Sequence, residues 1–127
     1  MARADYTVTI SECSKELSAK EKLMFKDTSN AIKLDDLVSP EESFIMDVAD
    51  YAVLSVHNEH SDNKDYDVYI IIDKQGKKYV TGSKAFYESF IDIYTEMKNE
   101  SEDWQIEVVK KESNNYKGKF FITCSIV

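Results

Sequence analysis

Residues 66–97 read YDVYIIIDKQGKKYVTGSKAFYESFIDIYTEM, and this stretch decides the fold. Residues 66–73 are rich in β-branched and aromatic side chains, as strands are. Lys74-Gln75-Gly76 places its glycine late, as a tight hairpin turn does, and 77–81 returns as a second strand. Ser83 is a good helix N-cap. Beyond it, apolar residues at 86, 87, 90, 91, 93, 94 and 97 keep helical spacing. That spacing predicts a helix over 84–98 with one broad apolar face.

Working outward, residues 44–57 (FIMDVADYAVLSVH) form a long β-like run before a polar loop at 58–65. Its length predicts one bent strand, with Asp47 and Asp50 marking exposed positions or a bulge. After the helix come a polar break at 99–103, a strand at 104–111, a loop at 112–118 and a last strand at 119–127. The order β-β-β-α-β-β predicts a mainly β (α+β) domain, a five-stranded OB-type barrel with its helix between strands three and four. An open antiparallel sheet with one packed helix uses the same elements; the barrel is the preferred reading. No internal repeat is visible.

Residues 1–43 are harder to read. Residues 6–10 alternate as a short strand would. Residues 14–25 (SKELSAKEKLMF) read as a charged helix with a weak apolar face, and 31–34 are a short apolar segment. Ser39-Pro40-Glu41-Glu42 resembles a helix or turn start. The expected division is a partly helical N-terminal extension, 1–43, that packs only in part on a barrel domain, 44–127.

Composition narrows the function classes. Of 127 residues, 43% are hydrophobic, enough for a core, and only three are glycine and one proline. That excludes Gly-rich phosphate loops and Pro-rich ligands. No apolar run approaches the roughly 18 residues of a membrane span, and the start shows no secretory h-region. The expected location is the cytoplasm. Cys13 and Cys124 read as reduced thiols, Cys124 as a small core residue, with a disulfide as the lesser alternative. The net charge is −8. Residues 1–73 carry seven basic against sixteen acidic side chains, a net of −9; residues 74–127 carry nine against eight, a net of +1.

Period-2 alternation splits strand 66–73 into Tyr66, Val68, Ile70 and Ile72, read as core, and Asp67, Tyr69, Ile71 and Asp73, read as half-exposed. Tyr79 and Phe121 likewise share sides with polar neighbours. Lys74, Lys77 and Lys78 lie at the first turn, and Lys110, Lys111, Lys117 and Lys119 surround the last loop, which contains Tyr116. Aromatic faces stack bases, worth roughly 1–3 kcal/mol each, while lysines follow phosphates. The candidate nucleic-acid-binding set is therefore Tyr69, Lys74, Lys77, Lys78, Tyr79, Lys110, Lys111, Tyr116, Lys117, Lys119 and Phe121. Tyrosines also fit pleated half-buried surfaces, and edge lysines deter sheet pairing, so the reading rests on joint placement.

His57 and His60 are the only histidines and lack the spacing of a rigid zinc site. No carboxylate pair or nucleophile with a base is apparent, so no enzyme activity, cofactor or metal is expected. Thr81-Gly82-Ser83 reads more simply as a loop and cap than as a phosphate-binding turn.

The segment from Tyr69 to Met97, followed by WQIEVVKKESNNYKGKFFITCSI, resembles small OB-fold single-stranded-DNA-binding proteins of phages and conjugative plasmids of Gram-positive bacteria. The resemblance lies in a hairpin ending Tyr79-x-Thr81-x-Ser83, and in a lysine-ended strand, short Asn/Lys/Gly loop and aromatic strand over 110–121. It covers roughly residues 44–127. It implies sequence-tolerant binding of single-stranded DNA in replication, recombination or transfer. Self-association or host replication and recombination proteins are further candidate partners; no membrane or small-molecule substrate is expected. The chain departs from many such proteins in ending on a strand rather than an acidic tail. The alternative is a small acidic protein-binding inhibitor or adaptor, of an anti-defence or DNA-mimic type, motivated by the net −9 of residues 1–73.

Overall fold

A computed structural model describes residues 6–60, 62, 64–113 and 118–127. It is mainly β. Among the described residues there are eight strands in two sheets and two α-helices, and no barrel closes.

The long run at 44–57 bends where its aspartate suggested. β3 (Phe44–Met46) and β4 (Val48–Asn58) are separated by Asp47, whose carbonyl accepts from the Lys74 amide at 3.0 Å. A register shift between Val48 and Asp50 completes the corner. The chain thus leaves one sheet and enters the other within one segment. β5 (Asp65–Asp73) and β6 (Lys78–Thr81) form the expected hairpin. β7 (Ile106–Glu112) and β8 (Phe120–Ile126) pair antiparallel along seven residues.

The N-terminal segment supplies β1 (Tyr6–Cys13), the helix α1 (Ala19–Lys26) and the two-residue β2 (Ile32–Lys33). The helix is shorter than the expected 14–25 and begins at a capping box between Ser18 and Glu21. The Ser39-Pro40-Glu41-Glu42 step is a turn closed by a Ser39–Glu42 bridge. β1 pairs along β4, β2 pairs parallel with β6, and Leu34 is fully buried. The described part of the expected extension is therefore integral to the first sheet.

The first sheet runs β1-β4-β5-β6-β2 and the second β3-β7-β8. The expected barrel would need β6 to meet β8. That edge of β6 is taken by β2, and α2 (Lys84–Met97) fills the gap. The Ser83 hydroxyl donates to the Ile122 carbonyl of β8 at 3.1 Å and accepts from the Phe86 amide at 3.1 Å, capping the helix. The expected OB-type barrel does not close among the described residues; two sheets fold over a helix.

The principal core lies between the sheets and α2, around Phe86, Phe90, Ile71, Ile106 and Ile122. A second cluster, Phe25 with Ala52, Leu54 and Ile70, lies on the opposite side of the first sheet beneath α1. A central strand buried on both sides reads as a continuous apolar run, which explains YIIID in β5. Among the described residues no helix is long and apolar enough to cross a membrane.

Candidate nucleic-acid interface

The ring-bearing side of the β5–β6 hairpin faces inward, against the expectation. Tyr69 is 6% exposed and Tyr79 3%. Tyr69 stacks on Tyr87 of α2 with centroids 4.5 Å apart and planes 7° from parallel. Burial, then the nearby Asp67 and Glu88, raises the Tyr69 phenol above its ordinary value. Tyr79 donates to Asp73 at 3.0 Å, and burial followed by that bond pushes its phenol up to about 12. Asp73 is itself buried, accepting from the Gln75 and Lys77 amides at 2.9 Å each, so it organises the turn instead of facing solvent. Gly76 completes that turn at φ +86°. Thr81 donates to Asp35 at 2.8 Å and accepts from the Ser83 amide at 3.1 Å. Tyr79, Thr81 and Ser83 therefore all do structural work here. No base can stack on Tyr69 or Tyr79 in this fold.

Several lysines are also engaged. Lys74 pairs with Asp103 at 3.0 Å. Lys78 donates to the Met24 carbonyl and, at 2.9 Å, to that of Asp27, holding the C-terminal end of α1. Lys110 reaches the Asp35 carbonyl at 3.4 Å. Lys77, Lys111 and Lys119 are exposed. Phe121, 37% exposed, stands cross-strand from Lys111, and Phe120 beside it is 49% exposed. Tyr116 and Lys117 lie outside the described residues.

The outer side of the first sheet carries what the inner side was expected to carry. Register places Val8, Val56 and Tyr66 in one row across β1, β4 and β5, and sets Lys33 of β2 beside Val80 of β6. Lys26 ends α1 above them. Together Tyr6, Tyr66, Lys26 and Lys33 line an open groove of about 240 Å³ floored by Val8, Val68 and Val80. Its lining contains no carboxylate, in a chain with 24 acidic residues against 16 basic. Tyr6 is 53% exposed. Tyr66 was missed because Tyr66, Val68, Ile70 and Ile72 read as the core set, and Tyr6, Lys26 and Lys33 because they lie on other elements. The available signal was Tyr66 itself, a strand-end aromatic on the less acidic side.

Comparison with protein-family models, curated proteins and solved structures finds no match to this chain.

Two other constellations have clear geometry. His57 sits between Asp65, 2.8 Å from Nδ1, and Glu59, 2.8 Å from Nε2, across the β4–β5 hairpin. The Asp65 hydrogen bond, then that of Glu59, raises its pKa above 6.5. Among the described residues no group of three or more His, Cys, Asp or Glu is arranged to hold a metal. Both cysteines are free thiols; burial pushes the Cys124 thiol up to about 12, which makes it a poor nucleophile.

Proposed function

We propose that the protein is a non-enzymatic single-stranded DNA-binding protein that takes its ligand on the outer side of the first sheet. The observation that carries this reading is the carboxylate-free groove with two tyrosine rings and two lysines. Tyr6 and Tyr66 offer stacking platforms; Lys26 and Lys33 offer phosphate contacts. Strand order supports it. The path β6-β5-β4, through Asp47 to β3-β7-β8, with a helix between β6 and β7, follows the OB plan with β2 at the edge that would close. OB folds bind oligonucleotides on that outer side and with the loop corresponding to β7–β8, where Phe120, Phe121, Lys111 and Lys119 are exposed.

The test is a titration of labelled dT oligomers and a duplex of equal length at two salt concentrations. Single-strand affinity should fall with salt by roughly 0.7 log units per log unit of salt for each phosphate contact. Lys26→Glu with Lys33→Glu should reduce the slope by roughly 1.4 and weaken binding at least tenfold, with the circular dichroism spectrum retained. Unchanged affinity in that folded variant removes the groove from consideration.

A second reading, a protein-binding inhibitor or adaptor, draws on α2. Glu88, Asp92 and Glu96 lie at i, i+4 and i+8 on its exposed side, with no basic residue between Lys84 and Lys98. Like charges at that spacing weaken an isolated helix, which fits a surface kept for a basic partner. Absence of oligonucleotide binding together with a defined complex with a basic protein would favour this reading.

A further inference from the structure

The outer side of the first sheet continues beyond the Tyr6–Tyr66 groove. α1 lies across it, with Phe25 among Ala52, Leu54 and Ile70. On the other flank of the helix a second groove of about 460 Å³ opens, floored by Met24, Phe25, Ile32 and Ile72, with Lys15, Lys77 and Lys78 around it. One short helix thus divides a single lysine-edged face.

α1 is lightly held. Its eight residues fall below the roughly 12–15 at which an isolated helix is even marginal. Phe25 is its one buried side chain, while Leu23 and Met24 are exposed. The remaining ties are polar and exchangeable. Lys78 bonds the carbonyls of Met24 and Asp27, and an ammonium so placed can bond phosphate oxygens instead. Lys15 bridges Glu21 of the helix at 3.4 Å and Asp50 of the sheet at 3.6 Å. Lifting the helix carries Glu21 out of the groove and leaves Asp50 neutralised by Lys15.

We propose that α1 is a displaceable strap, and that a single strand longer than the first groove lifts it to occupy both grooves as one continuous site. Lys26 leaves the first groove with the helix; bases then cover the apolar strip vacated by Phe25, and Lys33, Lys77 and Lys78 meet phosphates. A short oligomer fills the first groove and leaves the strap seated. This rests on the single-stranded-DNA reading above.

Hydrogen exchange at the backbone amides of α1, with dT4 and with dT12, tests it. Exchange should accelerate with dT12 and stay unchanged or slow with dT4. Ser18→Ala removes the N-cap hydroxyl of a residue that lines neither groove; it should tighten dT12 binding about fivefold, the ratio a lost cap produces, and leave dT4 affinity as it was. Binding of dT12 with α1 exchange unchanged or slowed, and no gain in Ser18→Ala, overturns the strap and spares the first groove. Failure of both oligomers to bind overturns the proposed function and the strap together.

Discussion

The two sides of the first sheet differ in what covers them. On the inner side, Tyr51, Val53, Tyr69, Ile71 and Tyr79 meet α2 and the second sheet, and their rings interlock: Tyr51 meets Phe90 edge-on at 5.5 Å and Tyr69 stacks on Tyr87. On the outer side a single ring, Phe25, is inserted, and grooves flank it. Both sides are apolar. Ring content therefore does not mark the solvent side of a strand; the number of elements stacked above it does. The inner tyrosines gain interlocking contacts worth roughly 0.5–1.5 kcal/mol per ring pair beyond their burial.

Stability breaks or sharpens the contrast first. Phe90→Ala, at the centre of the inner side, should lose about 4 kcal/mol in urea unfolding, whereas Val80→Ala on the outer side should lose about 1. Equal losses would mean the two sides are packed alike. Asp73→Ala should lose about 3 kcal/mol, because the Tyr79 hydroxyl and two turn amides lose a charged acceptor. In binding, Tyr66→Ala should weaken dT affinity about tenfold, while Tyr69→Phe leaves it unchanged; the reverse pattern would return the ligand to the inner side.

The smallest effect is electrostatic, at His57. Its folded pKa is raised, so the folded protein binds the proton more tightly than the unfolded chain. The resulting stabilisation is complete below the ordinary histidine pKa and is lost as pH rises through the folded value. Relative to His57→Gln, the protein should gain stability at pH 5.5 and show no such gain at pH 8.5. An NMR titration midpoint for His57 at or below 6.5 would contradict this.

Much of the fold was legible because residues 66–97 carry strong local signals: the late Gly76, the Ser83 cap and helical spacing through Met97. The bend at Asp47 was legible for the same reason. Parity was not. Alternation separates Tyr69 from Tyr66, but β5 is apolar on both sides, and Asp67 and Asp73 pointed to the wrong one. Asp73 is buried only because turn amides and Tyr79 satisfy it. The N-terminal placement was also hidden. β1 meets β4 across 39 to 52 residues, and β2 is two residues long, too short for any periodicity. The candidate groove draws Tyr6, Lys26, Lys33 and Tyr66 from four separate elements, so only tertiary structure unites them.

β2 has an effect out of proportion to its length. Ile32 and Lys33 occupy the rim of β6 that would otherwise offer unpaired amides and carbonyls to a neighbouring molecule. Two residues are too few to present a long template in their turn. The N-terminal segment thus shields that rim of β6 through the same stretch that brings Lys33 to the outer groove, while β1 and β8 remain outermost strands of the two sheets.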